Sequence, residues 1–403
     1  MKNSTTRTSD GSGAQLQYLG ELVIQGFTNL DHKYGRQRTS TREAPWTYPV
    51  NEVNSKEVLY ERLLSTNLPR LKDQVYTILA TLEPVSMKEN PELSLRRVLE
   101  IQPELDYNIT QIDSAFLHLC PESSSACDQT DDQHLKQFKA YNLVELRKEF
   151  VFALDWICSA FRAAPEHIKD MRLSTGGCFV DDEFDMSGHK EYTEKAVYWI
   201  QHTIIHSQRS EMDAIEEQGK SGVRTIDSLL IDLISLFTPT APMGIARLSP
   251  LRRQSFIDLA KLTVPIMKLL KLFFKKLFHI GINGCRALVS YTQMNSEQLK
   301  YLCQSSEKVN GKLSSFMYNL SDVDTQFGDL PVDIRSLVQP LEQIASYLEG
   351  PLLSIVLYLV PLVDNLPDQT YFQSWFSIWN SQFNIAIHKV VQAAQTFDQN
   401  QLG

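Results

Sequence analysis

The chain has 403 residues, of which 43% are hydrophobic and 22% are charged, and its formal net charge at pH 7 is -9. This composition is typical of a globular protein and is too apolar for a chain that is disordered throughout. The acidic balance argues against a general nucleic-acid-binding protein, which usually carries a clear basic excess. The length is enough for two or three domains or for one long helical array.

The first predicted elements are a disordered tail, residues 1–14, and a short helix. The tail is rich in Ser, Thr and Gly and lacks the apolar core of a secretory signal. We therefore expect an intracellular protein, either cytoplasmic or nuclear. Apolar residues at helical spacing, from Leu16 to Phe27, predict the first helix, and the polar stretch 32–54 is predicted to be a loop.

From Ser55 onward the apolar residues follow a helical period almost without interruption. Pro69 is expected to begin a new helix at its first turn, and Pro103 is expected to kink or divide another. Polar breaks are predicted at 121–133, 173–189 and 238–250. Helices are predicted at 91–119, 134–163, 191–217, 226–237, 255–282, 295–320, 331–348, 351–363 and 368–397.

No stretch alternates convincingly between apolar and polar residues, so strands should be nearly absent. The prediction is an all-α protein of about ten helices in antiparallel bundles. Its expected parts are an N-terminal bundle (15–218), a Gly/Pro-rich connection (219–250) and a C-terminal bundle (251–403). The densest apolar run, Leu352 to Val363, is too short for a transmembrane helix, which needs about 20 apolar residues.

The segment from Ser255 to Ile282 has two faces when it is wound as a helix at about 100° per residue. One face is apolar, and the other is a basic stripe into which Leu272 intrudes. We predict that this stripe is a partner-binding surface composed of Lys261, Lys268, Lys271 and Lys275.

Three interpretations of this segment stay open: a core helix with a basic exposed stripe, a partner-binding groove, and a helix on a membrane surface. A lysine near anionic lipid gains roughly 1 kcal/mol. A large apolar side chain gains roughly 1.5–3 kcal/mol on burial, and the segment has about ten of them. Burial therefore dominates and favours the core helix, so peripheral membrane contact is disfavoured.

The cysteines give no sign of a disulfide framework. None of the six forms a CxxC pair, and a chain of this length needs no disulfide to fold. We expect reduced, mostly buried thiols at Cys120, Cys127, Cys158, Cys178, Cys285 and Cys303.

Two short motifs resemble ligand-binding loops but are incomplete. Gly219-Lys220-Ser221 resembles the end of a phosphate-binding loop, yet Ala214 stands where the first glycine is required. Asp181, Glu183 and Asp185 occupy alternating positions of a calcium loop, which lacks its turn glycine and its final glutamate. We interpret the first as a helix–helix connector and the second as a solvated acidic loop.

A metal site is the alternative to a purely structural role for the histidines. His202 and His206 are four residues apart and would face one side of a helix, but the HTIIH sequence lacks the glutamate of the HExxH pattern. His189 and the acidic cluster are the places to look for missing ligands. The competing function is accordingly an enzyme with a dispersed or metal-dependent site near His189, His202 and His206.

Four stretches carry a resemblance to other proteins: DDQHLKQFKAYNLVELR (131–147), KLLKLFFKKL (268–277), TQMNSEQLK (292–300) and LPDQTYFQSWFSIWNSQF (366–383). Together they resemble a large, expanded group of rust-fungal proteins without an established activity. The resemblance therefore implies no catalytic or binding residue, and it leaves an exported fungal effector as a further alternative.

A second resemblance rests on SPLRRQSFIDLAKLTVPIMKLLKLFFKKL (249–277). This stretch is similar to the cyclin-D-binding, Grap2-interacting family of helical adaptors, which implies protein–protein binding without catalysis. We accordingly predict a non-catalytic interaction protein that needs no cofactor. The sequence predicts neither its partners nor its oligomeric state.

Overall fold

The computed structural model describes residues 9–35, 52–120, 131–174, 187–238, 249–283, 290–325, 334–363 and 365–401. These residues form helices and connecting turns without a β-strand, which confirms the predicted all-α class. The α-helices are α1 (Ser9–Gly35), α2 (Glu52–Arg62), α3 (Leu68–Thr81), α4 (Pro84–Glu89), α5 (Pro91–Leu119), α6 (Ala140–Asp170), α7 (Ser187–Ser207), α8 (Glu211–Ser235), α9 (Gln254–Asn283), α10 (Ser296–Cys303), α11 (Ser305–Thr325), α12 (Ile334–Ser354) and α13 (Leu366–Gln401).

Shorter helical turns complete the described chain. A π-helical turn, Leu63–Asn67, joins α2 to α3, and a 3₁₀ turn, Gln133–Phe138, precedes α6. A second π-helical turn, Ile355–Leu359, and a 3₁₀ turn, Val360–Leu362, extend α12. Pro69 lies in the first turn of α3, as predicted.

The structure divides into two compact units. The first consists of Met1–Ala126 and Asn142–Gln208, and the second of Cys127–Tyr141 and Arg209–Gly403. The division therefore falls after Gln208 and differs from the expected connection at 219–250. The segment Cys127–Tyr141 belongs to the second unit although it precedes most of α6 in the chain. No shift in composition predicts this assignment.

A helix-capping motif at the start of α8 lies beside the division after Gln208. The Ser210 hydroxyl accepts a hydrogen bond from the Asp213 backbone N–H at 3.1 Å, and the Asp213 carboxylate accepts one from the Ser210 backbone N–H at 3.0 Å. This reciprocal arrangement is a capping box, which begins a helix. The predicted helix 191–217 is therefore two helices, and Ser-x-x-Asp is the sequence signal that marks the break.

Two glycines expected in a domain connection lie inside α8. Gly219 and Gly222 are both buried, and a Cβ atom added at Gly222 would lie 2.6 Å from Cγ of Phe274 on α9. The missing side chain thus permits the close packing of α8 on α9. The Gly219-Lys220-Ser221 motif is also helical, so it forms neither a connector nor a phosphate-binding loop.

Replacing Gly222 with Ala is expected to destabilise the second unit by about 1–3 kcal/mol, because the methyl group would displace the Phe274 ring. Gly311 in α11 is the matched control, since an added Cβ there meets nothing within 4 Å. Gly311→Ala should stabilise the protein by up to about 1 kcal/mol through helix propensity. Urea unfolding followed by circular dichroism measures both changes. Equal effects of the two substitutions would contradict the close approach of α8 and α9.

The N-terminal helix is longer than predicted. α1 begins at Ser9, so residues 9–14, expected to be disordered, are helical. It ends at Gly35, within the stretch 32–54 that was predicted to be a loop. The remainder of the predicted tail and most of that loop lie outside the described residues.

Proline interrupts the helices less than expected. α5 runs from Pro91 to Leu119 through Pro103, and α12 contains Pro340 and Pro351. The two helices predicted at 331–348 and 351–363 therefore form one helical stretch.

By length and composition alone, the stretch Arg335–Leu362 would suffice to cross a membrane, with 39% of its most apolar window buried. Helices in the cores of globular proteins meet the same criterion. Its buried residues belong to the core of the second unit and include Leu341, Ile344, Leu348, Ile355 and Leu359.

The first unit packs α1, α3, α5, α6 and α7 around apolar side chains. Aromatic pairs mark this core, with ring centroids 5.8 Å apart for Phe27 and Phe161 and 5.3 Å apart for Phe116 and Phe150. In the second unit, α9 packs against α8, α11 and α13. The helix α9, whose sequence predicts one apolar and one basic face, is thus a central element of the second unit.

Candidate interaction surface and buried polar clusters

The apolar side of α9 lies in the core of the second unit, as the favoured interpretation predicted. Ile266, Met267, Leu270, Phe273, Phe274 and Leu277 have no solvent-accessible surface. A membrane-surface helix or an open groove would need this side to be free. Its burial leaves only the opposite side of α9 for contacts outside the unit.

An aromatic stripe on α13, formed by Phe372, Phe376, Trp379 and Phe383, covers part of this apolar side. The Phe273 ring centroid lies 4.8 Å from that of Trp379, and the Trp379 indole N–H donates a hydrogen bond to the Leu269 carbonyl at 2.7 Å. Trp379 also stacks on Phe383 at 4.9 Å. A buried indole needs such a hydrogen-bond acceptor for its N–H, so the stripe is a packing feature.

The predicted lysine stripe is exposed at three of its four positions. Lys261, Lys268 and Lys275 are exposed, whereas Lys271 is partly buried and its Nζ lies 2.5 Å from the Asp227 carboxylate on α8. Lys261 has only a marginal partner, the Asp258 carboxylate at 4.0 Å. Within the described part of the chain, no ion pair involves Lys268 or Lys275. We call Lys261, Lys268 and Lys275 the α9 basic face.

Lys276 lies beside this face and contacts aromatic rings on α13. Its Nζ lies 4.5 Å from the Tyr371 ring centroid, 5.0 Å from that of Phe372 and 5.3 Å from that of Trp375. It also donates a hydrogen bond to the Tyr371 hydroxyl at 3.0 Å. These contacts hold Lys276 within the unit, so it is not part of the α9 basic face.

Arg253, which directly precedes α9, is also engaged within the unit. Its guanidinium and its backbone N–H both donate to the Asp324 carboxylate at 3.1 Å. The Arg252 backbone N–H donates to the same carboxylate at 2.5 Å. Asp324 therefore fixes the chain where α9 begins. Arg253 forms an ion pair within the unit, so it is not part of the α9 basic face.

A buried ion pair joins the segment before α6 to the start of α8. Lys139 is fully buried, and its Nζ donates to both carboxylate oxygens of Glu211, at 2.8 and 3.1 Å, and to the Thr292 carbonyl at 2.8 Å. Glu211 also accepts hydrogen bonds from the Thr292 backbone N–H and hydroxyl, each at 2.7 Å. Both charges are thus compensated by partners within the second unit. Burial raises the pKa of Tyr291, and the negative charge of Glu211 raises it further.

A second buried cluster ties the same segment to α10. The Asp132 carboxylate accepts hydrogen bonds from the Ser296 hydroxyl at 2.5 Å, the Ser296 backbone N–H at 2.9 Å and the Ala140 backbone N–H at 2.9 Å. The Ser296 hydroxyl in turn accepts from the Tyr141 backbone N–H at 2.8 Å. These contacts explain why Cys127–Tyr141 belongs to the second unit.

Four sequence stretches, 131–147, 268–277, 292–300 and 366–383, contribute to contacts within the second unit. Stretches 131–147 and 292–300 supply Asp132, Lys139 and Ser296 to the buried clusters. Stretches 268–277 and 366–383 meet where α9 packs on α13. No motif in the sequence indicates the buried ion pair of Lys139 and Glu211, although Lys139 lies within stretch 131–147.

The structure does not bring the three candidate metal-binding histidines together. All three lie on α7, but His189 and His202 are thirteen residues apart, which is roughly 20 Å along a helix. Nδ1 of His202 lies 2.9 Å from the Glu149 carboxylate. Among the described residues, no three His, Cys, Asp or Glu side chains are placed to hold a metal ion. The acidic cluster of Asp181, Glu183 and Asp185 lies outside the described residues.

His189 is instead part of a buried histidine pair. Its ring stacks on that of His167 with centroids 5.7 Å apart. Burial, reinforced by the charge of His167, lowers the pKa of His189 to about 4. Burial likewise lowers the pKa of His167. Both rings are therefore neutral near pH 7.

Three cysteines lie among the described residues. Cys120, Cys158 and Cys303 are buried thiols, as predicted. The Cys120 thiol donates to the Leu143 carbonyl at 3.5 Å. The remaining cysteines, Cys127, Cys178 and Cys285, lie outside the described residues.

Two regions of the chain are similar to known protein families. Residues 56–208 match a domain of unknown function (DUF8723), and residues 210–392 match another domain of unknown function (DUF8721). Each match covers less than half of the chain. The two matches meet beside Arg209, where the structure passes from the first unit to the second. No curated protein and no solved structure matches the chain.

Proposed function

We propose that this chain is a non-catalytic protein-interaction protein whose α9 basic face binds an acidic segment of a partner protein. The observation that carries the proposal is the exposure of Lys268 and Lys275 on a helix whose opposite side is fixed in the core. A rigid support limits the entropy that the lysine backbones lose on binding.

The spacing of the lysines suggests what the partner presents. Lys261, Lys268 and Lys275 follow one another at intervals of seven residues, which places neighbouring Cα atoms roughly 10 Å apart along the helix. A partner helix with Glu or Asp at intervals of seven residues would match this spacing. In a chain of net charge -9, such a face stands out as a local basic surface that would attract an acidic partner.

Charge reversal tests this proposal. The double variant Lys268→Glu/Lys275→Glu is expected to keep the native fold, because both side chains are exposed, and to weaken association with native partners at least about tenfold. Lys389→Glu, at an exposed position of α13, is the matched control and should leave association unchanged. Quantitative pull-down from native cells at low and moderate salt measures the effect. Equal recovery of partners by wild type and the double variant would refute the proposal.

The cellular setting that goes with this proposal is the cytoplasm or the nucleus. The buried thiols Cys120, Cys158 and Cys303 support it, since reduced cysteines are usual in those compartments.

A further inference from the structure

An acidic stripe on α12 has the same spacing as the α9 basic face. Glu342 and Glu349 are both exposed and lie seven residues apart, as Lys268 and Lys275 do on α9. An interval of seven residues places the two Cα atoms roughly 10 Å apart along either helix. We call Glu342 and Glu349 the α12 acidic stripe.

The α12 acidic stripe lies on a helix that is fixed to the core of the second unit, as α9 is. Leu341, Ile344 and Leu348, on the opposite side of α12, are buried in that core. Among the described residues, neither glutamate of the stripe takes part in an ion pair. The two carboxylates are therefore available to cations from another chain.

Each of the two charged surfaces also carries an exposed leucine. Leu272, between Lys268 and Lys275, is 49% exposed, and Leu353, four residues after Glu349, is 59% exposed. Burial of such side chains between two chains is favourable because it removes apolar surface from water. The α9 basic face and the α12 acidic stripe are thus complementary in charge, and both have apolar area beside them to bury.

The charges also select the orientation in which the two helices meet. In an antiparallel alignment, each glutamate of the stripe faces one lysine, and Leu353 lies near Pro265, which is also exposed. A parallel alignment with the same number of pairs brings Lys261 opposite Arg335, and both residues are positively charged. Like charges in contact cost free energy, so the antiparallel alignment is favoured.

We propose that the partner of the α9 basic face is a second copy of this chain, whose α12 acidic stripe packs antiparallel against it. Lys268 of one copy then pairs with Glu349 of the other, and Lys275 pairs with Glu342. This inference rests on the proposed function and names the acidic segment that it requires. Each copy carries both surfaces, so copies of a single chain suffice to form the contact.

Analytical ultracentrifugation of the full-length chain tests the proposal. Two helices bury a small interface and the net charge of -9 on each copy opposes association, so we expect a dissociation constant of roughly 10–100 µM. The variants Lys268→Glu/Lys275→Glu and Glu342→Lys/Glu349→Lys should each weaken self-association at least about tenfold, because like charges then meet. Glu307→Lys, at an exposed position of α11, is the matched control and should associate as the wild type does.

Combining the four substitutions separates a direct contact from a change in total charge. The combined variant has an acidic α9 face, a basic α12 stripe and the net charge of the wild type. It should regain self-association to within about threefold of the wild type, because the two surfaces are complementary again. All four positions are exposed, so circular dichroism should show the same helical content in every variant. If the combined variant does not fold, an equimolar mixture of the two double variants provides the same complementary surfaces.

Three results would each overturn the inference: a wild-type chain that stays monomeric at about 100 µM, a double variant that associates as tightly as the wild type, or a combined variant that remains monomeric. None of them refutes the proposed function, which the pull-down tests separately. If the wild type is monomeric and Lys268→Glu/Lys275→Glu still loses its partners, the α9 basic face binds a different protein.

Discussion

Phe273→Asp is expected to unfold the second unit, with a loss of more than about 4 kcal/mol in the free energy of unfolding. Phe273 has 0% exposure and contacts Phe274, Phe376 and Trp379 at ring distances of 5.3, 6.1 and 4.8 Å. An aspartate would lose these contacts and bury a carboxylate without a partner. Near-ultraviolet circular dichroism and hydrogen exchange of peptides from α8 to α13 measure the loss.

The adjacent residue provides the matched control. Leu272 is 49% exposed on the other side of α9, so Leu272→Asp should change stability by no more than about 0.5 kcal/mol. The two variants share the substituted chemistry and the helix, and they differ in burial. Full protection of α9 in Phe273→Asp would show that this side of the helix is not buried in solution. The partner-groove and membrane-surface interpretations would then return.

Lys139→Met is expected to destabilise the second unit by about 3–5 kcal/mol, because it leaves the buried Glu211 carboxylate without its counter-charge. The hydrogen bonds from Thr292 remain but do not neutralise the charge. Lys148→Met is the control, since Lys148 is exposed in its pair with Glu145 and its loss should cost less than about 1 kcal/mol. Urea denaturation measures both variants.

A double variant distinguishes lost charge compensation from lost packing. Adding Glu211→Gln to Lys139→Met removes the stranded charge while it keeps an acceptor for Thr292. The double variant should therefore be more stable than Lys139→Met alone by at least about 1 kcal/mol. If Glu211→Gln instead adds to the loss, the effect of Lys139 comes from packing.

Much of the fold follows from patterns within single segments. The apolar and basic faces of α9 follow from residue spacing, because a helix returns to the same side every three or four residues. Residue spacing does not predict which lysines of the stripe form ion pairs within the unit. Lys271 and Lys275 belong to the same predicted stripe, yet an aspartate on α8 engages Lys271.

At two places the structure differs from the prediction because a local signal has more than one meaning. Glycine usually interrupts a helix, but Gly222 lies inside α8 because Phe274 occupies the space of its side chain. Apolar spacing alone does not predict the break between α7 and α8, because that spacing continues through it. Only the capping pair of Ser210 and Asp213 marks where one helix ends and the next begins.

The sequence by itself determined the all-α class and the two sides of α9, since these depend on periodicity within one segment. Only the tertiary structure decided which charges are buried and which histidines form a buried pair. Lys139 and Glu211 are 72 residues apart, and Asp132 and Ser296 are 164 apart. In the sequence these residues look like ordinary polar surface. Their roles depend on which distant segment packs over them and buries them, and no pattern within one segment predicts that packing.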